Sequence, residues 1–312
     1  MTRYSITFTK VDDDFAWAVS PPLGEEDANE EDISVALTTL ASGVATTVDI
    51  HSVDRIVGPA RLVEAFVTHW TRELEQRGLT VVIPSASSFD SRISYATLAT
   101  IPPPSPAFSG YRVELAQQTD TNELSRLFIA FMGRHSPIQS AIDRVRHEME
   151  IWVQLGQMWV CRLDDDIAGY VATGRITKRA VGIRSVFVSP SHRRKGVAEA
   201  MTRAVTRFML GAEPLGFEGA PVGGPVLGTK EQVCLNVAED HVARLYRRCG
   251  FLLGDDDRDP VTGRMGWISS SVRTVEVLRN DGKSHSTCIL QVLCVLSRFF
   301  QMFVSDTSLC YG

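Results

Sequence analysis

The sequence predicts an α/β (α+β) protein in which a mixed central sheet flanked by helices is preceded by a smaller α/β lobe. Three observations predict it. Strand-like and helix-like runs alternate from about residue 110 to 268. A shorter alternation fills the first hundred residues. Between them lies IPPPSP, where Pro102, Pro103, Pro104 and Pro106 force an extended, semi-rigid connector. The expected division is therefore a lobe over 1–101, a linker over 102–109, the principal domain over 110–268 and a C-terminal extension over 269–312.

In the lobe, Tyr4, Ile6 and Phe8 alternate as a strand does, and an acidic loop follows with Pro21, Pro22 and the carboxylates from Glu25 to Asp32. Leu62, Phe66, Trp70 and Leu74 recur at helical spacing, Gly78 supplies a stop, and LTVVI reads as a β-branched strand. No motif in the lobe carries an assignable chemistry.

The principal domain opens with a strand over YRVELA and a helix over TDTNELSRLFIAFM, capped by Thr119, Asp120 or Thr121. A second helix covers SPIQSAIDRVRHEMEIWV, with Pro137 in its first turn. MWVCRL and IAGYVATGRIT form a hairpin across Asp164, Asp165 and Asp166, and VGIRSVFVS is the next strand. A helix, the glycine-rich loop EPLGFEGAPVGGPVLGTK, a strand and a last helix complete the domain. In the extension, SSSVRTVEVLRNDGKSHST is polar and turn-rich. Beyond it Ile289, Val292, Leu296, Phe299 and Phe303 share one helical stripe, which fits a docking amphipathic helix or a dispensable tail.

Composition narrows the function classes. The chain has 312 residues, 44% of them hydrophobic and 22% charged, which places it with globular proteins. A net charge of −5 argues against a protein whose main work is neutralising nucleic-acid phosphates. The six cysteines show neither C-x-x-C pairs nor zinc-ligand spacing and read as free thiols in a reducing compartment. The N-terminus lacks a basic flank before an apolar core, and the apolar run from Cys288 to Val304 is broken by Gln291, Ser297, Arg298 and Gln301. The expectation is a cytoplasmic protein, the nucleus remaining open, with no metal, no nucleic-acid partner and no transmembrane span. Its oligomeric state is left open.

The chemistry concentrates in two segments. In VFVSPSHRRKGVAEAMTRAV, residues 186 to 205, a strand ends at Val188, basic residues follow, and Gly196 with Ala198 opens a helix. The unpaired N–H groups of the first turn, the helix dipole and the charges of Arg193, Arg194 and Lys195 together suit a phosphate. Small residues at 196 and 198 permit close backbone approach. The spacing is that of neither a Walker loop nor a dinucleotide fingerprint. In VCLNVAEDHVARLYRRCGFLL, residues 233 to 253, a strand runs into a helix that ends at Cys249 with Gly250 beyond it, and Phe251 begins another strand.

Together the two segments resemble the GNAT superfamily of N-acetyltransferases, with the likeness closest to its fungal members. That family carries an [QR]-x-x-G-x-[GA] pyrophosphate loop after its fourth strand, matched by Arg193, Gly196 and Ala198. It also carries a later L-Y-x-x-x-G-F helix end, matched by Leu245, Tyr246, Gly250 and Phe251. The order of elements over 110–268, about half the chain, is also the family's.

The resemblance implies acetyl-CoA as co-substrate, held where the fourth and fifth strands splay apart. The backbone of Val186, Phe187 and Val188 would pair with the pantetheine arm, and Arg193, Arg194, Lys195, Gly196, Val197 and Ala198 would hold the pyrophosphate. The reaction would be direct acetyl transfer to a primary amine, with a backbone N–H near Val188 stabilising the oxyanion and Tyr246 as general acid toward the thiolate. Two departures stand out. Where many members have an asparagine seven residues before the tyrosine, this chain has Glu239, while Asn236 lies on the preceding strand among the cofactor contacts. VGIRSVFV also offers no carboxylate base, so that role falls to Glu239, Asp240 or His241 acting through water, or to solvent. His192 is either a phosphate contact or an exposed histidine.

The acceptor is expected to be a small-molecule amine, or a protein lysine or N-terminus. Clustered carboxylates of the lobe and the 211–230 loop would favour a cationic amine such as a polyamine or aminoglycoside. A second class of function is a non-catalytic acyl-CoA-binding regulatory module, which the missing strand carboxylate permits and Tyr246 opposes. A third, nucleic-acid binding through Arg193 to Lys195 and Arg244 to Arg248, is opposed by the overall charge.

Overall fold

The computed structural model describes residues 6–10, 16–21, 29–84, 89–108, 110–133, 139–164, 166–213 and 224–278. The stripe at 289–303, Pro137 and the centre of the glycine-rich loop lie outside them. The chain forms two units, Met1–Arg92 with Ile268–Gly312, and Ile93–Trp267.

In the first unit β1 (Thr7–Thr9), β2 (Trp17–Ser20), β3 (Arg55–Pro59) and β11 (Trp267–Thr274) lie side by side in that order. The outer pairs are antiparallel, and β2 runs parallel to β3. Gly58 is required at the parallel pair, because a Cβ there would fall 2.3 Å from the carbonyl oxygen of Val19. Helix α1 (Glu30–Thr47) begins at Asn29, whose side chain accepts from the Asp32 N–H at 2.8 Å, with acidic residues through the first turn. Helix α2 (Ala60–Gln76) buries Leu62, Phe66, Trp70 and Leu74 on the predicted stripe. Phe66 stacks between Phe8 and Trp70. The helix stops at Gly78 (φ +77), where Leu79 N–H reaches the Leu74 carbonyl and Gly78 N–H that of Glu75. Beyond it β4 (Thr80–Val82) pairs with β12 (Glu276–Leu278) as a separate two-stranded sheet.

The second unit begins within β5 (Phe89–Ala96) and continues through β6 (Arg112–Leu115), α3 (Thr121–Phe131), α4 (Gln139–Gln154), β7 (Met158–Leu163), β8 (Asp166–Gly174), β9 (Ala180–Val188), α5 (Val197–Leu210), β10 (Gln232–Val237) and α6 (Asp240–Arg248). Its strands are ordered β10-β9-β8-β7-β6, antiparallel except for the parallel pair β10/β9. Adjacent residues of β8 point to opposite faces: Val171 joins the core under α5, while Tyr170 meets Phe128 of α3. Asp120, at the start of α3, takes both its oxygens to Arg162 of β7, which also bonds Glu114 of β6.

Three expectations are corrected. First, the proline-rich segment is not a bare linker but a strap along α5. Arg207 donates to the Pro102 carbonyl at 3.1 Å, the guanidinium of Arg203 lies 5.3 Å over the ring of Phe108, and the Tyr111 hydroxyl donates to the Lys195 carbonyl. Partners at 102, 108 and 111 meet 207, 203 and 195 in reverse order, so strap and helix run antiparallel. Second, the region after Trp267 is not a turn-rich tail at its start, since β11 and β12 complete the first unit. Its serines Ser270 and Ser271 are buried opposite Pro59 and Gly58, where small side chains fit. Third, Phe251 opens no strand: the chain stays irregular to Trp267 apart from one bridge, Arg258 to Met265.

Candidate active site

The sheet of the second unit comes apart at one place. β9 and β10 pair from Ala180↔Gln232 to Ile183↔Leu235, and the pairing ends there although β9 runs to Val188 and β10 to Val237. On its other edge β9 pairs Ser185 with Ala172 and Ile183 with Thr173, which leaves Arg184 as the extra residue of a β-bulge. A bulge bends its strand and increases the local twist. It sits where β9 leaves β10. Val186, Phe187 and Val188, half-buried, follow it. Across the gap Asn236 is the first β10 residue past the pairing, and its Oδ1 is buried with no hydrogen-bond partner among the described residues.

β9 then delivers the chain to a helix start. After Val188 a 3-10 turn over Pro190–His192 reverses the chain, and Arg194 (φ +61) and Gly196 (φ +83) take left-handed conformations. Gly196 is the N-cap of α5, its carbonyl accepting from Ala200 at 2.9 Å. The N–H groups of Val197, Ala198 and Glu199 therefore have no intrahelical acceptor. Arg193, Arg194, Lys195 and Gly196 are exposed, whereas Val197 is buried and anchors the first turn. Arg193 folds back, its Nε 3.4 Å from the Val188 carbonyl and its guanidinium 5.8 Å from the Phe187 ring. His192 is held by the hydroxyls of Ser189 and Ser191, at 2.9 and 3.1 Å from Nδ1. The strap backs this loop: a Cβ on Gly196 would stand 3.4 Å from the Tyr111 hydroxyl and 3.5 Å from Phe108.

Tyr246 lies on α6, 9% exposed, in the core cluster that holds Leu235 and Val237 of β10 and has Val186 and Val188 of β9 at its margin. Its hydroxyl makes no hydrogen bond among the described residues. Burial, with the Cys249 thiol nearby, pushes its pKa above the ordinary phenol range, so the proton stays on at neutral pH. Glu199 of α5 binds Arg203 at 2.9 Å and Arg248 of α6 at 2.8 Å, tying the two helices together. Glu239 lies at the start of α6. It is the N-cap residue of α6 but its side chain makes no capping bond, lies 67% exposed and pairs with His241 at 3.2 Å. Seven residues of helix separate it from Tyr246, about 10 Å along the axis, beyond hydrogen-bond reach.

Residues 154–252, from the end of α4 past Phe251, match the family model of the acetyltransferase (GNAT) domain. The chain carries a GNAT acetyltransferase domain. The matched stretch contains β9, the 193–198 loop and Tyr246. Among solved structures, the chain is similar to a GCN5-related N-acetyltransferase from Sphaerobacter thermophilus, with 16% identity and a TM-score of 0.48 over 91% of this chain and 79% of that one. An acetyltransferase of the GNAT family from Colwellia psychrerythraea gives 12% identity and a TM-score of 0.44 over 83% and 77%. For yncA from Salmonella typhimurium, solved with its cofactor acetyl-CoA, the values are 18% and 0.34 over 58% and 100%. No curated protein matches the chain significantly. Among the described residues no helix is long and apolar enough to cross a membrane.

Two features of the GNAT domain escape sequence reasoning. The strap behind the 193–198 loop is one, because its contacts join residues about a hundred positions apart. Arg184 is the other. A lone charge inside the apolar run VGIRSVFV was its only signal, and it proves to be 8% exposed.

Proposed function

We propose that this chain transfers the acetyl group of acetyl-CoA directly to a primary amine, with the pantetheine arm between β9 and β10 and the pyrophosphate at the start of α5. The observation that carries this reading is the end of strand pairing at Ile183↔Leu235, beside a helix start whose N–H groups are open. An extended amide-bearing chain fits such a gap, because it can take hydrogen bonds that β10 no longer makes to Val186, Phe187 and Val188. The buried Oδ1 of Asn236, without a hydrogen-bond partner among the described residues, supplies an acceptor for one of its amide N–H groups. Gly196, Val197 and Ala198 would receive the diphosphate oxygens on backbone N–H groups, with Arg193, Arg194 and Lys195 adding charge at the rim.

Acetyl-CoA supplies a thioester whose carbonyl an uncharged amine can attack. Backbone N–H groups near Val188 would hold the negative charge that builds on the carbonyl oxygen. Tyr246 would keep its proton until the thiolate leaves and then donate it, since burial disfavours both anions. With Glu239 open and paired to His241, we assign loss of the amine proton to solvent rather than to a carboxylate. The acceptor falls within small-molecule amines or protein lysines and N-termini. Incubating the protein with acetyl-CoA and a panel of amines while detecting released thiol tests the reading. Thiol release that depends on amine and protein is expected; its absence across the panel, with acetyl-CoA bound, would favour the non-catalytic acyl-CoA-binding module.

A further inference from the structure

Arg184 occupies the bulge at which β9 departs from β10, one residue beyond the last pair of those strands. Its aliphatic stem runs over Gly174, where a Cβ would stand 2.5 Å from the arginine Cδ, so glycine is what gives the stem its path. The guanidinium carbon lies 4.2 Å from the ring of Trp152 on α4. The residue is 8% exposed and its Nε is enclosed. Among the described residues it makes no hydrogen bond and no ion pair. The charge that acts on it is Glu148 of α4, which favours the cation but stands outside ion-pair distance. Burial lowers its pKa to about 10, so it remains a cation at neutral pH. The side chain of Arg175 lies over neighbouring Gly182.

A guanidinium taken out of water is costly, and a ring face offsets only part of that cost. A planar fork of donors with one face on an indole and, among the described residues, no oxygen bonded to it matches a carboxylate, which takes two parallel N–H bonds. We propose that Arg184 binds a carboxylate of the acetyl acceptor, so that the acceptor is an amine of amino-acid type and not a bare polyamine. This rests on the acetyl-transfer reading above and gives it a substrate class. A buried cation on the residue that follows the last β9/β10 pair repels a polycation and attracts a zwitterion, whose amine would be left for the thioester.

The test is calorimetric titration of the full chain, with and without saturating CoA, using matched pairs: glycine and glycinamide, L-phenylalanine and L-phenylalaninamide, L-lysine and L-lysinamide. The carboxylate member of at least one pair should bind more tightly, on the order of 10- to 100-fold. That preference should collapse in Arg184→Gln and partly return in Arg184→Lys. The wild-type comparison needs no variant to fold. Equal binding within every pair, no binding by any amino acid, or a preference that survives Arg184→Gln overturns the proposal. If bare amines release thiol while the pairs show no preference, acetyl transfer stands and the carboxylate site falls. A carboxylate preference without any acetyl-CoA binding keeps the carboxylate site and removes acetyl transfer.

Discussion

The backbone N–H of Phe251 donates to the carbonyl of Tyr246 at 3.1 Å, and the two rings meet edge to face with centroids 5.9 Å apart. With Gly250 N–H reaching the Arg247 carbonyl at 3.0 Å, this is a Schellman ending. It gives a physical reason for the spacing of the phenol, the glycine and the phenylalanine in this chain: the glycine turns the chain left-handed and the phenylalanine returns to pack on the tyrosine.

Gly250→Ala should therefore be costly. Its φ is +101, and a Cβ would stand 2.7 Å from the Ile101 Cα and 2.8 Å from the Thr100 carbonyl oxygen, both backbone. Left-handed strain and overpacking add to about 2–5 kcal/mol. Urea unfolding should show a loss of that size, and a wild-type midpoint would mean that the backbone of Thr100 and Ile101 moves aside without cost.

Tyr246→Phe separates chemistry from packing. The ring contact with Phe251 and the core position survive, so stability and acetyl-CoA binding should change little. Loss of a single general acid lowers turnover by about 10²- to 10⁴-fold. Initial rates with a responsive amine measure this, and wild-type turnover would remove Tyr246 from proton transfer.

A chain ended after Trp267 should lose its first unit. β11 covers β3 from Ser270↔Pro59 to Thr274↔Arg55, Arg273 binds Asp90 at 2.8 Å and also pairs with Glu64, and Val275 N–H reaches the Asp54 carbonyl at 2.8 Å. Without them β3 presents an open edge. Limited proteolysis should cut rapidly within residues 30–84 of the shortened chain and slowly in the full one; equal rates would show that β11 adds nothing.

What the sequence discloses is what local rules govern. The Leu62, Phe66, Trp70, Leu74 stripe, the stop at Gly78 and the hairpin across Asp164 to Asp166 each depend on periodicity or on a backbone conformation that few residues adopt. So does the turn into α5, because Gly196 must be left-handed for the chain to enter that helix. What it conceals depends on distant partners. Prolines without N–H donors look like a solvated linker, yet their carbonyls can accept, and Arg207 supplies the donor to Pro102 from across the domain. Ser270 and Ser271 look like turn residues because their burial comes from β3, more than two hundred positions earlier.

The strap makes Tyr111 a positioning residue for the 193–198 loop, where the diphosphate is proposed to bind. Its hydroxyl donates to the Lys195 carbonyl and so fixes the backbone one residue before Gly196, the N-cap of α5. Tyr111→Phe should raise the KM for acetyl-CoA about 3- to 10-fold, the worth of one hydrogen bond, with kcat unchanged. Initial rates at varied acetyl-CoA and saturating amine measure both constants, and a fall in kcat alone would place Tyr111 elsewhere in the mechanism.

Alkaline pH should destabilise the protein through groups that burial keeps protonated. Cys161 is pushed from 9.0 to about 12 by burial alone, and Cys249 to about 12 by burial and the nearby Glu199 carboxylate. Tyr95 moves from 10.0 to about 12 by burial and Asp259, and Tyr170 is also raised by burial. Each folded-state pKa lies above its unfolded value, so the folded chain holds these protons more tightly. Their contribution is complete below about pH 9, where unfolded thiols begin to ionise, and is lost as pH rises through the interval to about 12. Each group can add a slope of at most about 1.4 kcal/mol per pH unit. Urea midpoints at pH 8, 9, 10 and 11 should fall progressively above 9, and Cys161→Ala should flatten the first part of that fall. A midpoint that holds or rises from pH 9 to 11 would mean that these thiols and phenols are open to solvent.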